Sequence, residues 1–394
     1  MLDIWPHNLP IAVWDERKEA IDIDNIFAAL TLHDRIRDLD LTYVEDDPYF
    51  GLEEVLEALR RPFPELTRLR LGYGDDTMPV VPDSFLGGSA PRLRSLSLLS
   101  IPFPGLPKLL LSATRLVYLN LSNITRSGYI SPEAMVTGLS MLSRLEKLVI
   151  EFETPQSRTA RESQCSPPQT RTLLPALTRL RFVGVNEYLE DFVARIDVPL
   201  LNKLDITFFH QQLFDIPQLT RFINRAMKLK TYNEARLKFN QYGFVRVTLP
   251  QTSDGEIKLA ALCEGDWQLL SLAQLCSSFF RRDPISASAV EHLYITEYGP
   301  YPLDWPNIES SQWLELFHAF PAVKGLYISQ KVARTLQVLV RERATEVLPT
   351  LQTLFLDETP PPGPVQETIG QFVASRQHPI AISNWKRDHY DFHI

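Results

Sequence analysis

A six-residue frame with apolar residues at its first, fourth and sixth positions recurs along this chain and limits the folds that it can adopt. Leu116, Leu119 and Leu121 form one such frame, and ten occur in all. The frames begin at Ile36, Leu66, Leu93, Leu116, Leu145, Leu177, Leu201, Val290, Val323 and Leu351. Residues four and six point to the same side of a short strand, so stacked copies of the strand build a continuous core.

The spacing of the frames identifies a repeat. Successive frames begin 23 to 33 residues apart, except for a step of 89 residues between Leu201 and Val290. A period of about 29 residues with this signature is typical of leucine-rich repeats. The sequence therefore predicts an α/β fold, a leucine-rich-repeat solenoid or horseshoe with a parallel concave sheet and outer helices.

Helices are predicted between the frames, where apolar residues recur at i, i+3, i+4 and i+7. Ser131, followed by Pro132 and Glu133, has the pattern of a helix N-cap. A strand near 11–14 and a helix near 24–30 are predicted before the first frame. The other predicted helices lie at 52–59, 189–196, 219–226, 267–279, 311–320, 332–343 and 365–376.

We interpret 1–394 as a single leucine-rich-repeat array, with 1–35 as an incomplete N-terminal repeat and 386–394 as a C-terminal tail. Residues 153–172 are rich in Ser, Thr, Arg, Gln and Pro, which predicts a mobile loop. Residues 234–262 alternate apolar and polar side chains around Gly-containing turns, which predicts a local antiparallel insertion. That insertion would account for the long step.

Composition restricts the compartment and the partner. A net charge of −8 and a pI near 5.6 argue against nucleic acid as the main partner. Three cysteines without metal or redox spacing are typical of a reducing compartment. The sequence shows no signal peptide and no run of about 18 apolar residues. We therefore expect a cytoplasmic or nuclear protein that has no membrane partner.

Motifs for catalysis or for cofactors are not found. The stretch from Gly87 to Pro91 lacks the last glycine of a Gly-x-Ser-x-Gly nucleophile elbow, and neither a phosphate-binding loop nor a His-Glu-x-x-His motif occurs. The eight histidines are scattered. The sequence therefore predicts that the chain is not an enzyme and holds no cofactor or metal.

Several segments resemble a known family in their amino-acid sequence, among them PDSFLGGSAPRL at 82–93 and SGYISPEA at 127–134. The others are 101–114, 187–196, 290–295, 313–318 and 346–352. They are similar to the leucine-rich-repeat region of an F-box-type protein family of mushroom-forming fungi. The resemblance implies a substrate receptor of a cullin-type ubiquitin ligase, in which the F-box binds the Skp1 adaptor and the repeats choose the substrate.

The chain departs from that family at its N-terminal end. An F-box is a helical module that opens with Leu-Pro and an acidic residue, whereas Leu9 and Pro10 are followed here by Ile-Ala-Val. The first frame begins at Ile36 and leaves no room for the module. The sequence therefore gives no support for Skp1 binding by this chain, and the abrupt start of the array predicts that a segment is missing upstream.

Positions three and five of each frame face away from the core, onto the concave surface. Position five carries Tyr294, Tyr327 and Phe355 in the last three frames, and Gly325 beside them predicts space for an incoming side chain. The predicted binding residues are Tyr294, Tyr327, Phe355, Tyr118, Arg68, Arg70, Arg179 and Arg181. In this hypothesis the aromatic residues anchor a protein segment and the arginines steer an acidic part of it. The alternative is that the C-terminal helix or the loop 299–308 covers the aromatic side chains.

We infer a protein–protein interaction module, with the substrate-recognition part of an F-box-type ubiquitin ligase receptor as its specific form. An F-box-less decoy or structural scaffold is the alternative. An enzyme that uses the concave groove is a third reading, for which no convergent set of titratable groups is visible.

Overall fold

The structure is a computed structural model, and its described residues fall into seventeen stretches. They are 9–14, 23–42, 52–72, 80–155, 170–210, 214–226, 229, 232–240, 243–251, 255–263, 267–280, 289–298, 310–333, 336, 347–357, 363–376 and 378–385. The chain divides into two compact units, Met1–Leu201 and Asn202–Ile394. Most of the loop predicted at 153–172 lies outside the described residues, as does the predicted tail 386–394.

The first unit contains a sheet of seven parallel strands that pair in chain order. These strands are β1 (Ile11–Trp14), β2 (Ile36–Thr42), β3 (Arg68–Gly72), β4 (Ser95–Leu99), β5 (Tyr118–Ile124), β6 (Lys147–Phe152) and β8 (Arg179–Gly184). A separate parallel pair is formed by β7 (Thr172–Leu173) and β9 (Ile196–Asp197).

The helices of the first unit lie in the connections between strands. They are α1 (Ile23–Leu30), α2 (Leu52–Ala58), α3 (Leu106–Leu110), α4 (Pro132–Leu139) and α5 (Asn186–Ala194), with 3₁₀ turns at Phe85–Gly88 and Arg126–Gly128. The predicted cap of α4 is confirmed, because the Ala134 N–H donates to Ser131 Oγ at 3.2 Å.

The second unit contains eight strands in the order β10-β13-β12-β11-β14-β15-β16-β17. They are β10 (Lys203–Phe208), β11 (Glu234–Asn240), β12 (Phe244–Pro250), β13 (Glu256–Leu262), β14 (His292–Tyr298), β15 (Gly325–Ile328), β16 (Thr353–Leu356) and β17 (Ala381–Asn384). Its helices are α6 (Pro217–Arg225), α7 (Gln268–Phe280), α8 (Ser310–His318), α9 (Gln330–Ala333) and α10 (Pro364–Ala374). The helix predicted at 332–343 falls largely on residues outside the described part of the chain.

The core of both units is built from the leucine frames. All thirty frame residues are buried, and Leu351 has the highest exposure among them at 5%. Each β-strand alternates its side chains, so the same residues that bury one face leave positions three and five on the other. The predicted burial of the frames is confirmed, and each unit is an α/β structure with a mostly parallel sheet.

The predicted antiparallel segment is present as β11, β12 and β13. Strand β12 is antiparallel to both of its neighbours, whereas β13 is parallel to β10 and β11 is parallel to β14. The frame residues Ile206 and Ile295 are joined in register through Leu259, Val247 and Leu237, all of them buried. The three strands therefore continue the core across the segment that lacks the leucine frame.

The turn between β11 and β12 depends on Gly243. Its φ is +77°, and a Cβ at this position would lie 2.0 Å from the carbonyl oxygen of Cys263. Any other residue would be strained in its backbone and would clash with the Cys263 carbonyl.

Among the described helices, none is long and apolar enough to cross a membrane.

Candidate binding surface

The second unit carries a row of stacked aromatic side chains. Tyr294, Tyr327 and Phe355 are cross-strand partners on β14, β15 and β16. The ring centroids of Tyr294 and Tyr327 are 4.1 Å apart with planes at 15°, and those of Tyr327 and Phe355 are 4.2 Å apart at 1°. We call these three residues the aromatic row. Their spacing follows from adjacent strands, which lie about 4.8 Å apart.

The rings point away from the core. On β14 the residues on either side of Tyr294, Leu293 and Ile295, are buried, whereas Tyr294 itself is half-buried. Tyr327 and Phe355 are half-buried as well. Side chains alternate along a strand, so the row stands on the face opposite the frame residues. The structure therefore brings together three of the predicted binding residues as one contiguous group.

An arginine extends the row at one end. Arg236 on β11 is the register partner of Tyr294, and its Cζ lies 5.6 Å from the centroid of that ring. Glu234, two residues earlier on the same strand, holds the guanidinium through a contact of 2.9 Å between Nη2 and Oε1. At the other end Ser383 on β17, which is exposed, pairs in register with Phe355.

Trp385 covers part of the row. Its ring centroid lies 5.7 Å from that of Tyr294 and 5.6 Å from that of Tyr327, edge-on to both at 70° and 84°. Its backbone N–H donates to the carbonyl of Leu356 at 2.9 Å. Residues 299–308, one of the two covers considered above, lie outside the described residues. Among the described residues, the indole of Trp385, which follows β17, is the group that packs edge-on against the row.

Gly325 does not leave the open space predicted for it. A Cβ there would lie 2.9 Å from His292 Nδ1 and 3.2 Å from Tyr327 Cε2. His292 is the register partner of Gly325, and its ring centroid lies 5.9 Å from that of Tyr327. The prediction of a gap is wrong, because the imidazole of the preceding strand already fills it.

The row is uncharged. Burial is the main effect that raises the pKa of Tyr294. The neighbouring Tyr327 and Glu234 raise it further, whereas Arg236 lowers it. The phenol therefore keeps its proton well above neutral pH. The row offers ring edges and a hydroxyl donor, and the described ion pair beside it is Arg236–Glu234.

The other five predicted residues belong to the first unit. Arg68 and Arg70 on β3 and Arg179 and Arg181 on β8 are exposed, and Tyr118 on β5 is half-buried. Tyr118 pairs in register with Ser95 and Lys147. The structure therefore does not place Tyr118 in the aromatic row.

Two of the four arginines are engaged by carboxylates on neighbouring strands. Arg70 Nη1 lies 3.7 Å from Asp40 Oδ2, and Arg181 Nε donates to Glu151 Oε1 at 2.5 Å. Arg68 and Arg179 make no such ion pair with any described residue. Arg68 and Arg179 thus present the uncompensated positive charge among the predicted residues.

The described part of the chain contains no group of three or more His, Cys, Asp or Glu side chains able to hold a metal ion. Cys263 and Cys276 are buried, and burial raises the pKa of both thiols. Thiols with raised pKa values stay protonated at neutral pH and are poor nucleophiles.

Two residues of this surface, Arg236 and Trp385, lie outside the leucine frames. Arg236 lies in the alternating run of β11, which lacks the leucine frame, so its register with Tyr294 follows from no spacing. Strand β17 pairs Thr353 with Ala381, a step of one repeat, but Asn384 stands where the frame has Leu356. Strand-forming residues one period beyond the last frame are the sequence signal that marks β17, and with it Trp385.

No protein-family model matches the chain, and no curated protein matches it in sequence. Among solved structures, the leucine-rich repeat-containing protein LegL7 from Legionella pneumophila shows a TM-score of 0.31 at 12% identity. The match covers 84% of this chain and 96% of that one. A TM-score of this size is a coarse likeness, and the class of fold rests on this chain's own strand pairing. That class is an α/β protein of repeated strand and helix units with mostly parallel strands.

Proposed function

We propose that the chain is a leucine-rich-repeat protein that binds a protein partner through the aromatic row. The observation that carries the proposal is the stack of Tyr294, Tyr327 and Phe355 on the face opposite the core, with Arg236 at its end. Aromatic side chains and arginine are the residues most enriched at the energetic centres of protein interfaces. Binding, without a reaction, is the role assigned to this surface.

The stack prepares the row for binding. Each ring is held by its neighbours at centroid distances of 4.1 and 4.2 Å, so little rotamer entropy is lost when a partner arrives. The partner would supply an apolar or aromatic side chain that packs on the row beside Trp385. Arg236, already paired with Glu234, would contribute its planar face more than its charge.

A site-specific crosslink tests this proposal. A photoreactive amino acid at Ser383, beside Phe355 in the register, should form a discrete crosslink to a partner in cell extract. Tyr327→Ala should abolish that crosslink. The control places the same photoreactive amino acid at Glu367, an exposed residue of α10. The same products at both sites, or a crosslink that survives Tyr327→Ala, would contradict the proposal.

The finer form of the proposal is a substrate-recognition region of an F-box-type ubiquitin ligase receptor, acting in the cytoplasm or nucleus. It is supported by the resemblance of the amino-acid sequence to the F-box-type family at segments such as 82–93 and 127–134. Co-purification with a Skp1-type adaptor would favour the receptor. Partner binding without Skp1 would favour the alternative, an F-box-less decoy or scaffold.

A further inference from the structure

The first unit contains a cleft of about 600 Å³ at the edge of the sheet where β2 to β5 begin. We call it the basic cleft. It is lined by Leu9, Pro10, Asp34, Arg35, Arg37, Glu65, Thr67, Arg92, Arg94 and Arg115. Five arginines face two carboxylates, which leaves a formal excess of three positive charges in a chain of net charge −8.

The repeat itself gathers these arginines. Arg35 and Arg37 flank the first frame residue of β2, Arg92 and Arg94 flank that of β4, and Arg115 precedes that of β5. Equivalent positions of stacked strands lie side by side, so a residue type repeated at one frame position forms a local group. The five guanidinium groups therefore share one edge of the sheet.

Two of the five arginines are used within the protein. Arg35 donates from Nε and Nη2 to the carbonyl of Leu9 at 3.2 and 3.0 Å. Arg92 forms an ion pair with Glu65. These contacts fix the walls of the cleft and neutralise one of its two carboxylates.

The other three arginines have their guanidinium groups available. Arg37, Arg94 and Arg115 are exposed and make no ion pair or side-chain hydrogen bond with the residues that the structure describes. Like charges held at one edge repel each other and lower stability by a small amount. An anion that enters the cleft would relieve that repulsion.

The lining selects among anions. A guanidinium fork binds phosphate in a bidentate manner, and the volume of the cleft lies within the usual range for small-molecule sites. None of the residues lining the cleft is aromatic, so the cleft offers a nucleobase no aromatic ring to stack on, and the phosphate groups of a ligand would make its main contacts. Strands β2 and β5 are three strand spacings apart, roughly 14 Å, which favours several phosphates over one.

From these observations we propose that the basic cleft binds a small polyphosphorylated molecule, held by Arg37, Arg94 and Arg115. The site is separate from the aromatic row and does not depend on the function proposed for it. It would give a protein-binding chain a second ligand of low molecular mass.

Titration calorimetry with inorganic tripolyphosphate at near-physiological salt tests the proposal. We expect one site per chain and a loss of about tenfold or more in affinity for Arg94→Gln combined with Arg115→Gln, because two charge-assisted contacts disappear. Arg126→Gln is the matched control, since Arg126 is exposed and follows β5 where Arg115 precedes it. It should bind like the parent chain.

Three results would overturn the proposal. They are the absence of any heat of binding at two well-separated temperatures, an equal weakening by Arg126→Gln, and tighter binding of a hexaglutamate peptide than of tripolyphosphate. The first would show that the cleft takes no polyphosphate. The second would show a diffuse effect of net charge. The third would assign the cleft to an acidic protein segment. Unchanged thermal melts of the variants show that binding was compared in folded chains.

Discussion

Tyr327 and Phe355 lie face to face on adjacent parallel strands, with their ring planes 1° apart and their centroids 4.2 Å apart. Their neighbours Leu326 and Leu354 pair in the same register on the buried face. One strand pairing thus builds the core on one side and an aromatic surface on the other. Any change in this register would disturb both.

Leu204→Ala tests the leucine frame as the source of the core. Leu204 is 1% exposed in β10, so its loss should lower the free energy of unfolding by about 2–5 kcal/mol through lost burial and a residual cavity. Thermal or urea unfolding measures this. Lys203→Ala, one residue earlier on the outward face, should change stability by less than about 0.5 kcal/mol. Equal effects of the two variants would mean that the frame is misassigned.

Gly243→Ala tests the turn of the antiparallel segment. The new Cβ would clash with the Cys263 carbonyl at a φ of +77°, so we expect a loss of roughly 1–3 kcal/mol. Gly370→Ala in α10 is the comparison, since nothing lies within 4 Å of its Cβ position. That change should be neutral or stabilise by up to about 1 kcal/mol, because alanine favours helix. A Gly243→Ala chain as stable as the parent would refute the turn geometry.

Tyr294 should make stability fall in alkaline solution. Burial raises its pKa in the folded protein, so the unfolded chain loses this proton first. Its contribution is complete below the ordinary tyrosine pKa of about 10 and is lost as pH rises above that value. Urea unfolding between about pH 9 and 11 should therefore show a steeper decline for the parent than for Tyr294→Phe. Parallel curves would contradict a Tyr294 pKa that is raised in the folded protein.

Arg68 and Arg179, the two predicted binding arginines that make no ion pair with a described residue, should increase the rate of association. Once the crosslinked partner is purified, Arg68→Gln with Arg179→Gln should slow association and weaken its dependence on salt. Arg70→Gln with Arg181→Gln removes the same charge from arginines that Asp40 and Glu151 already compensate, and should matter less. Stopped-flow measurements at two salt concentrations distinguish these outcomes. Equal association rates in both double variants would show that Arg68 and Arg179 do not steer the partner.

The leucine frame carried most of the fold because its spacing encodes strand alternation directly. It placed the ten frame strands, and it placed Tyr294, Tyr327 and Phe355 in one row, since equal frame positions become register partners. The antiparallel segment was visible for the same physical reason, as a change in the apolar period. These features need only the chain's local geometry.

Features that depend on side-chain direction were not predictable in this way. The register sets His292 beside Gly325, but spacing does not say that the imidazole turns into the gap. Trp385 follows a strand that lacks the frame, and its indole reaches back across two strands. The basic cleft arises from positions beside the first frame leucine, which neither the core nor positions three and five include.

Calorimetric affinity for the crosslinked partner is the decisive measurement of whether the aromatic row anchors that partner. Tyr294→Ala with Tyr327→Ala should reduce binding by at least about 2 kcal/mol, roughly thirtyfold in Kd, because the centre of the row is removed. Trp267→Ala is the matched control, an aromatic residue of the same unit that is 51% exposed and lies outside the row. An unchanged affinity in the double tyrosine variant, with its fold intact, would show that the aromatic row does not anchor the partner.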